Sequence, residues 1–118
     1  MVLGVIGGSG FYSFPELEDV SEHVVETPYG DTPVMVCEGV YAGNKVFFLA
    51  RHGSEHKIPP HKINYRANVW ALKQLGVEQV IAINAVGGIT DKVGPGTLVI
   101  PDQLIDYTYG REHTFFSD

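Results

Sequence analysis

The sequence predicts an α/β fold: a mixed, twisted sheet covered by helices. Three observations predict it. Short apolar runs are separated by glycine and proline clusters. One stretch of helical period, from Asn64 to about Leu75, stands between two such runs, giving a strand–helix–strand unit. The Val/Ile-rich runs are nearly continuous rather than alternating, the pattern of strands covered on both faces.

The elements follow in order. Val2–Ile6 reads as a short buried strand ending in Gly7-Gly8-Ser9-Gly10. His23–Thr27 alternates and meets a turn cluster, Pro28-Tyr29-Gly30-Asp31. Val34–Glu38 and Lys45–Ala50 flank Tyr41-Ala42-Gly43-Asn44 and form a hairpin. Asn64 caps a helix in which Tyr65, Val69, Leu72 and Leu75 share one face, and Gly76 follows as its stop. Gln79–Ala85 is the next strand, and Thr97–Pro101, preceded by Gly94-Pro95-Gly96, is another. Tyr107–Asp118 has no period and reads as loop. With no element after that loop, the chain reads as part of a fold, residues 1–118 forming one piece of a single domain without an internal boundary.

Composition bounds the function. At 118 residues the chain is at most one domain. Eight Lys+Arg against fourteen Asp+Glu leave a net charge of −6, which argues against a general nucleic-acid binder but not against a locally bound small anion. The single cysteine, Cys37, excludes an internal disulfide framework and a cysteine-based zinc site; it reads as a small core residue. No basic leader precedes Val2–Ile6 and no apolar run approaches ~18 residues, so a soluble cytoplasmic protein is expected.

Three polar or glycine-rich clusters follow the carboxyl ends of three strands: Gly7–Gly10, Arg51-His52-Gly53 and Asn84-Ala85-Val86-Gly87-Gly88. Open α/β sheets bind ligands at that edge. Successive glycine N–H groups with the Ser9 hydroxyl suit an anion, although a plain tight turn has the same composition. Ser13 occupies the last required position of a G-x-G-x-x-G fingerprint, and no phosphate-loop motif exists in the chain. Arg51 ends an apolar strand with a planar fork that matches phosphate oxygens; the competing reading is an ion pair with Glu55 or Glu38. His52-Gly53-Ser54-Glu55-His56 matches the inverted zincin pattern H-x-x-E-H, but that chemistry needs a helix, which Gly53 and Pro59-Pro60 oppose. His61 reads as a loop or helix-start residue, and Trp70 as helix packing.

The stretches Ile6–Gly10, Leu49–Gly53, Asn64–Lys73 and Asn84–Gly88, in this order, resemble the family of 5′-methylthioadenosine, methylthioinosine and trimeric purine nucleoside phosphorylases, in its N-terminal portion. The resemblance implies phosphorolysis: phosphate attacks C1′ of a nucleoside and the purine departs, with no metal, cofactor or covalent intermediate. It implies that Ser9, Arg51, His52, Asn84 and Ala85 bind phosphate, His52 by donating a hydrogen bond, and that Val86 and Gly87 lie at the substrate. No catalytic residue beyond phosphate positioning is implied in this segment. It further implies a homotrimer, and purine and ribose contacts in a C-terminal segment this chain does not contain. The third cluster departs from the Thr-Ala-Cys-Gly of many methylthioadenosine enzymes. Together with Asp106-Tyr107-Thr108 and Gly110–Phe116 it looks most like the methylthioinosine type, hence a 6-oxopurine. Two other readings stay open: a non-catalytic phosphate- or nucleotide-binding fragment, and a zinc hydrolase using His52 and His56. Phosphate-dependent release of hypoxanthine or adenine, with and without a chelator, separates the three.

Overall fold

The computed structural model describes residues 1–116. Five strands, β1 (Leu3–Gly7), β2 (Glu18–Thr27), β3 (Gly30–Tyr41), β4 (Asn44–Ala50) and β5 (Gln79–Ala82), form one sheet in the order β2-β3-β4-β1-β5. β1 pairs in parallel with both β4 and β5, while β2, β3 and β4 run antiparallel, so the sheet is mixed as expected. A short 3₁₀ turn (Pro60–Lys62) precedes the helix α1 (Tyr65–Gln74). None of the helices among the described residues is long and apolar enough to cross a membrane.

The β3–β4 hairpin closes where the glycine-containing turn places it, with Tyr41 opposite Asn44. β2 and β3 extend well beyond the predicted alternating runs. Their connection is only Pro28-Tyr29, because Gly30 and Asp31 already belong to β3. A register shift between Val25 and Thr27 absorbs Pro33, which has no N–H for a ladder.

β4 shows why its sequence is apolar throughout. Val46 and Phe48 pack on one face with Val5 and Leu17, whereas Phe47 and Leu49 pack on the other with Val34, Val36 and α1. The helix is held at both ends. Asn64 accepts the Ala67 N–H at 3.0 Å and donates its amide to the Tyr29 carbonyl at 2.6 Å, tying the cap to the β2–β3 turn. At the other end Gly76 (φ +82°) donates to Lys73 O and Val77 to Leu72 O, a Schellman stop whose Val77 and Leu72 share the core.

Three expectations change. The buried helix face is Ala67, Ala71 and Leu72, not the Tyr65–Val69–Leu72–Leu75 stripe; Val69 faces outward, and the two alanines let the backbone lie close to the sheet. The strand predicted over Gln79–Ala85 ends at Ala82 and is exposed along its length, because its one neighbour is β1 and no described element packs on its faces. Thr97–Pro101 joins no ladder: Leu98 and Ile100 are exposed, and an extended run without a partner is not a strand. Among the described residues one α-helix, α1, packs on one face of the sheet. From Tyr107 to Phe116 the chain is irregular, as predicted; the last two residues of that expected loop lie outside the described residues.

On the outer strands Glu38 accepts from Lys45 Nζ at 2.6 Å and meets His23 Nε2 at 2.8 Å. Lys45 first, then His23, hold its carboxyl below the usual carboxylate range. A depressed folded pKa contributes stability above the unfolded value that is lost as pH falls through the folded one. Glu38→Gln should therefore lower the unfolding free energy at pH 7 by at most about 1 kcal/mol, since the site is partly solvated. Thermal unfolding of both proteins should converge as the pH drops below the range in which Glu38 ionises; a gap that persists in acid would assign the loss to packing.

Candidate functional site

The three clusters converge through one side chain. β4, β1 and β5 are adjacent and parallel, so Ala50, Gly7 and Ala82 bring their following residues to the same edge. Arg51, one residue past β4, reaches over the end of β1 to the end of β5. Its Nη1 donates to Asn84 Oδ1 at 2.6 Å and to Ile83 O at 3.4 Å. Its backbone N–H donates to Gly7 O at 3.0 Å. The guanidinium lies so close over Gly8 that a Cβ there would sit 2.6 Å from Arg51 Cζ and nearer still to Nη2. Gly8 is thus required by the arginine above it.

The competing ion pairs do not form. Glu38 is engaged by Lys45 and His23, and Glu55 pairs with Lys57. Among the described residues Arg51 has no carboxylate partner, and its Nη2 and Nε make no hydrogen bond within the chain.

Ser9 is exposed in a turn closed by Phe11 N–H to Gly8 O at 2.9 Å, with Gly10 at φ +83°. That left-handed position is where such a turn needs glycine. Phe11 anchors the turn edge-on against Phe48 of β4, at 5.3 Å between ring centroids. Ala85, Val86 and Gly87 continue from Asn84 as exposed chain.

His52 is buried, and its Nδ1 lies 2.8 Å from the Ile58 carbonyl. A carbonyl only accepts, so Nδ1 carries the proton and Nε2 of the neutral ring is an acceptor; it donates only as imidazolium. The His52–His56 run lies in consecutive turns with His56 at φ +53°, not in a helix, and the helical geometry of a zincin does not form. Instead the His56 ring packs between Tyr12 (4.5 Å) and His52 (4.7 Å). This stack, which ties the Gly-Ser turn to the loop after β4, was not legible in the sequence, where His56 belonged only to the metal-like motif. No group of three or more potential metal ligands occurs among the described residues.

A cleft of about 950 Å³ opens beside Arg51, bounded by Tyr12, Phe14, Met35 and Ile58, but Ser9, His52 and Asn84 do not line it. Arg51 is thus the convergent group that lines this largely apolar cleft, and Ser9, His52 and Asn84 lie outside it.

Gly8→Ala isolates the arginine's placement. The clash is with the far end of a flexible side chain, so the protein should fold with a near-normal thermal midpoint while Arg51 is displaced. If the guanidinium holds phosphate, as the resemblance implies, inorganic phosphate binding should weaken by about tenfold or more, the scale of a lost charged hydrogen bond. Undiminished binding by calorimetry would show that the guanidinium position over Gly8 is immaterial.

Comparison with known proteins agrees with this architecture. The family described as the phosphorylase superfamily matches residues 2–118. A probable S-methyl-5′-thioinosine phosphorylase of Xylella fastidiosa is 56% identical over 98% of this chain and 48% of its own length. An S-methyl-5′-thioadenosine phosphorylase of Hyperthermus butylicus is 51% identical over 98% of this chain and 42% of its own. The structure of a methylthioadenosine phosphorylase from Schistosoma mansoni in complex with adenine superposes with a TM-score of 0.88 at 43% identity, over 96% of this chain and 41% of that one. The chain thus spans less than half the length of these relatives. With the family pattern running from Val2 onward and the fold shared with a solved member, the chain belongs to the phosphorylase superfamily.

Proposed function

We propose that this chain supplies the phosphate half of a purine nucleoside phosphorylase, acting on a 5′-methylthionucleoside to release the base and 5-methylthioribose 1-phosphate. The observation that carries the reading is the Arg51 guanidinium, laid over Gly8 and fixed by Asn84 at the ends of three parallel strands without a carboxylate partner among the described residues. Such a cation, beside the Ser9 turn and the backbone of Ala85, suits a phosphate dianion.

The chemistry asks for this arrangement. As the bond to the purine breaks, the sugar gains oxocarbenium character, and a positioned phosphate is both nucleophile and electrostatic stabiliser. Arg51 orients and partly neutralises it, and Ser9 and the Ala85 N–H close the cradle. His52, whose Nδ1 is committed to Ile58, offers neutral Nε2 to the phosphate's own hydroxyl rather than donating to a bare oxygen. Val86 and Gly87, which the structure leaves exposed beyond Asn84, are read as the substrate contacts of this segment. Phosphate enters as co-substrate, and we assign no resident cofactor or metal. We further read residues 1–118 as one piece of a single domain, and the whole enzyme as a cytoplasmic homotrimer in purine and methylthio salvage.

Methylthioinosine is the favoured substrate, with methylthioadenosine next. The support is the resemblance of the Asn84–Gly88 cluster, taken as a whole motif, to the enzymes that handle 6-oxopurines. Side-by-side turnover of the two nucleosides by the full-length enzyme checks this. Hypoxanthine should be released faster than adenine, in both cases only with phosphate present and with no effect of a chelator. Release without phosphate, or its loss on chelation, would discard the phosphorylase reading.

Arg51→Lys keeps the charge and loses the fork. The KM for phosphate should rise about tenfold, with the nucleoside KM little changed. A shift confined to the nucleoside would give Arg51 a different role. The 118 residues expressed alone should show no phosphorolysis above background, because a held phosphate without a held nucleoside gains nothing from proximity. Full turnover by that purified chain would overturn the division into two halves.

A further inference from the structure

We propose that Asn84 is a positioning residue for Arg51, so that the side chain at this position sets how phosphate is held rather than which purine is accepted. The inference rests on the phosphorolytic reading and deepens it.

Both ends of the Asn84 amide are already used by the protein. Oδ1 accepts from Arg51 Nη1 at 2.6 Å, and Nδ2 donates to Ala82 O at 3.3 Å. The orientation is fixed by chemistry: guanidinium nitrogens only donate and a carbonyl only accepts, so turning the amide over would set donor against donor and acceptor against acceptor. The carbonyl oxygen, the end that faces the guanidinium, is committed to Arg51, while Nδ2 spends one of its two N–H groups on Ala82 O.

The anchor itself is firm. Ile83, the residue before Asn84, donates its N–H to Ile6 O at 2.9 Å, extending the β1–β5 ladder to the position where the side chain departs. Arg51 is pinned by its own backbone bond to Gly7 O. The guanidinium is therefore spanned between two strand ends on either side of β1, with Gly8 as its floor. With Nη1 committed, Nη2 and Nε are the donors left in the plane of the fork, the pair that can take two oxygens of one phosphate. Threonine at position 84 would bring a shorter branch and a hydroxyl in place of the amide carbonyl. The consequence falls on the arginine, and through it on phosphate.

The test uses full-length protein carrying Asn84→Ala, Asn84→Thr, Arg51→Lys and the Asn84→Ala/Arg51→Lys pair, with inorganic phosphate titrated by calorimetry. Asn84→Ala should weaken phosphate binding about tenfold. A lysine ammonium is a rotatable point charge that needs no orientation. In the Arg51→Lys background the same Asn84 change should therefore cost less than about twofold, the limit of ordinary non-additivity. In steady state Asn84→Ala should raise the KM for phosphate and leave the nucleoside KM and the methylthioinosine-to-methylthioadenosine ratio within about twofold. Asn84→Thr, the milder change should alanine fold poorly, should likewise leave that ratio in place. A tenfold loss that persists in the Arg51→Lys background would mean that Asn84 touches phosphate itself, and a changed purine ratio would mean that it reads the base; either overturns the proposal. If phosphate binds but no base is released, the phosphorolytic reading fails while the binding series still decides the role of Asn84. If the wild-type protein does not bind phosphate, both fall.

Discussion

The site depends on one contact made possible by the absence of a side chain. Arg51 crosses the end of β1 to reach β5, and it can do so only because position 8 carries no Cβ. Everything else near it follows. The parallel pairing of β4, β1 and β5 sets the span the arginine must cover. The apolar residues of β4, buried on both faces, fix where that span begins. Phe11, packed edge-on against Phe48, keeps the Gly-Ser turn beside the guanidinium rather than in its path.

An arginine in this position would ordinarily recruit a carboxylate, and the chain has fourteen acidic residues against eight basic ones. The two sequence candidates are occupied: Glu38 by Lys45 and His23 on the outer strands, Glu55 by Lys57 in its own loop. Arg51 is instead oriented by neutral acceptors, an amide and a carbonyl. Neutral acceptors fix direction without cancelling charge, so the guanidinium keeps its attraction for an anion. Such local separation of charge lets a net-acidic protein present a cationic site.

Much of this was legible in the sequence, and what was not has a physical cause. The β3–β4 hairpin, the Asn64 cap and the Gly76 stop were legible because each depends on a few neighbouring residues. The convergence of Gly7–Gly10, Arg51 and Asn84 was legible because strand ends share an edge in a parallel sheet. The helix face was misread because periodicity favours large apolar residues, whereas close approach of the helix backbone to β3 and β2 selected Ala67 and Ala71. Thr97–Pro101 looked like a strand because apolar composition records what a segment could bury, not whether a ladder partner is present. The stack of Tyr12, His56 and His52 had no local signal, since it joins two loops brought together by the β1–β4 pairing.

The contrast between β4 and β5 carries the argument into function. Both are apolar and both pair with β1, yet β4 is buried on two faces and the β5 region exposes Val80, Ile81 and Ile83. β4 must be rigid, because Arg51 projects from its end and an error of about an ångström there would misaim the fork. The part played by β5 is smaller, since it only presents Ile83 O and Asn84 Oδ1 to that fork. Its register is set by the β1 ladder, from the pairing of Leu3 with Gln79 to that of Ile6 with Ala82, and by the Ile83 N–H to Ile6 O bond beyond it. Backbone pairing can place two acceptors without a packed face behind them. Arg51 therefore takes its origin from the core and its direction from the ladder, and the two constraints meet over Gly8.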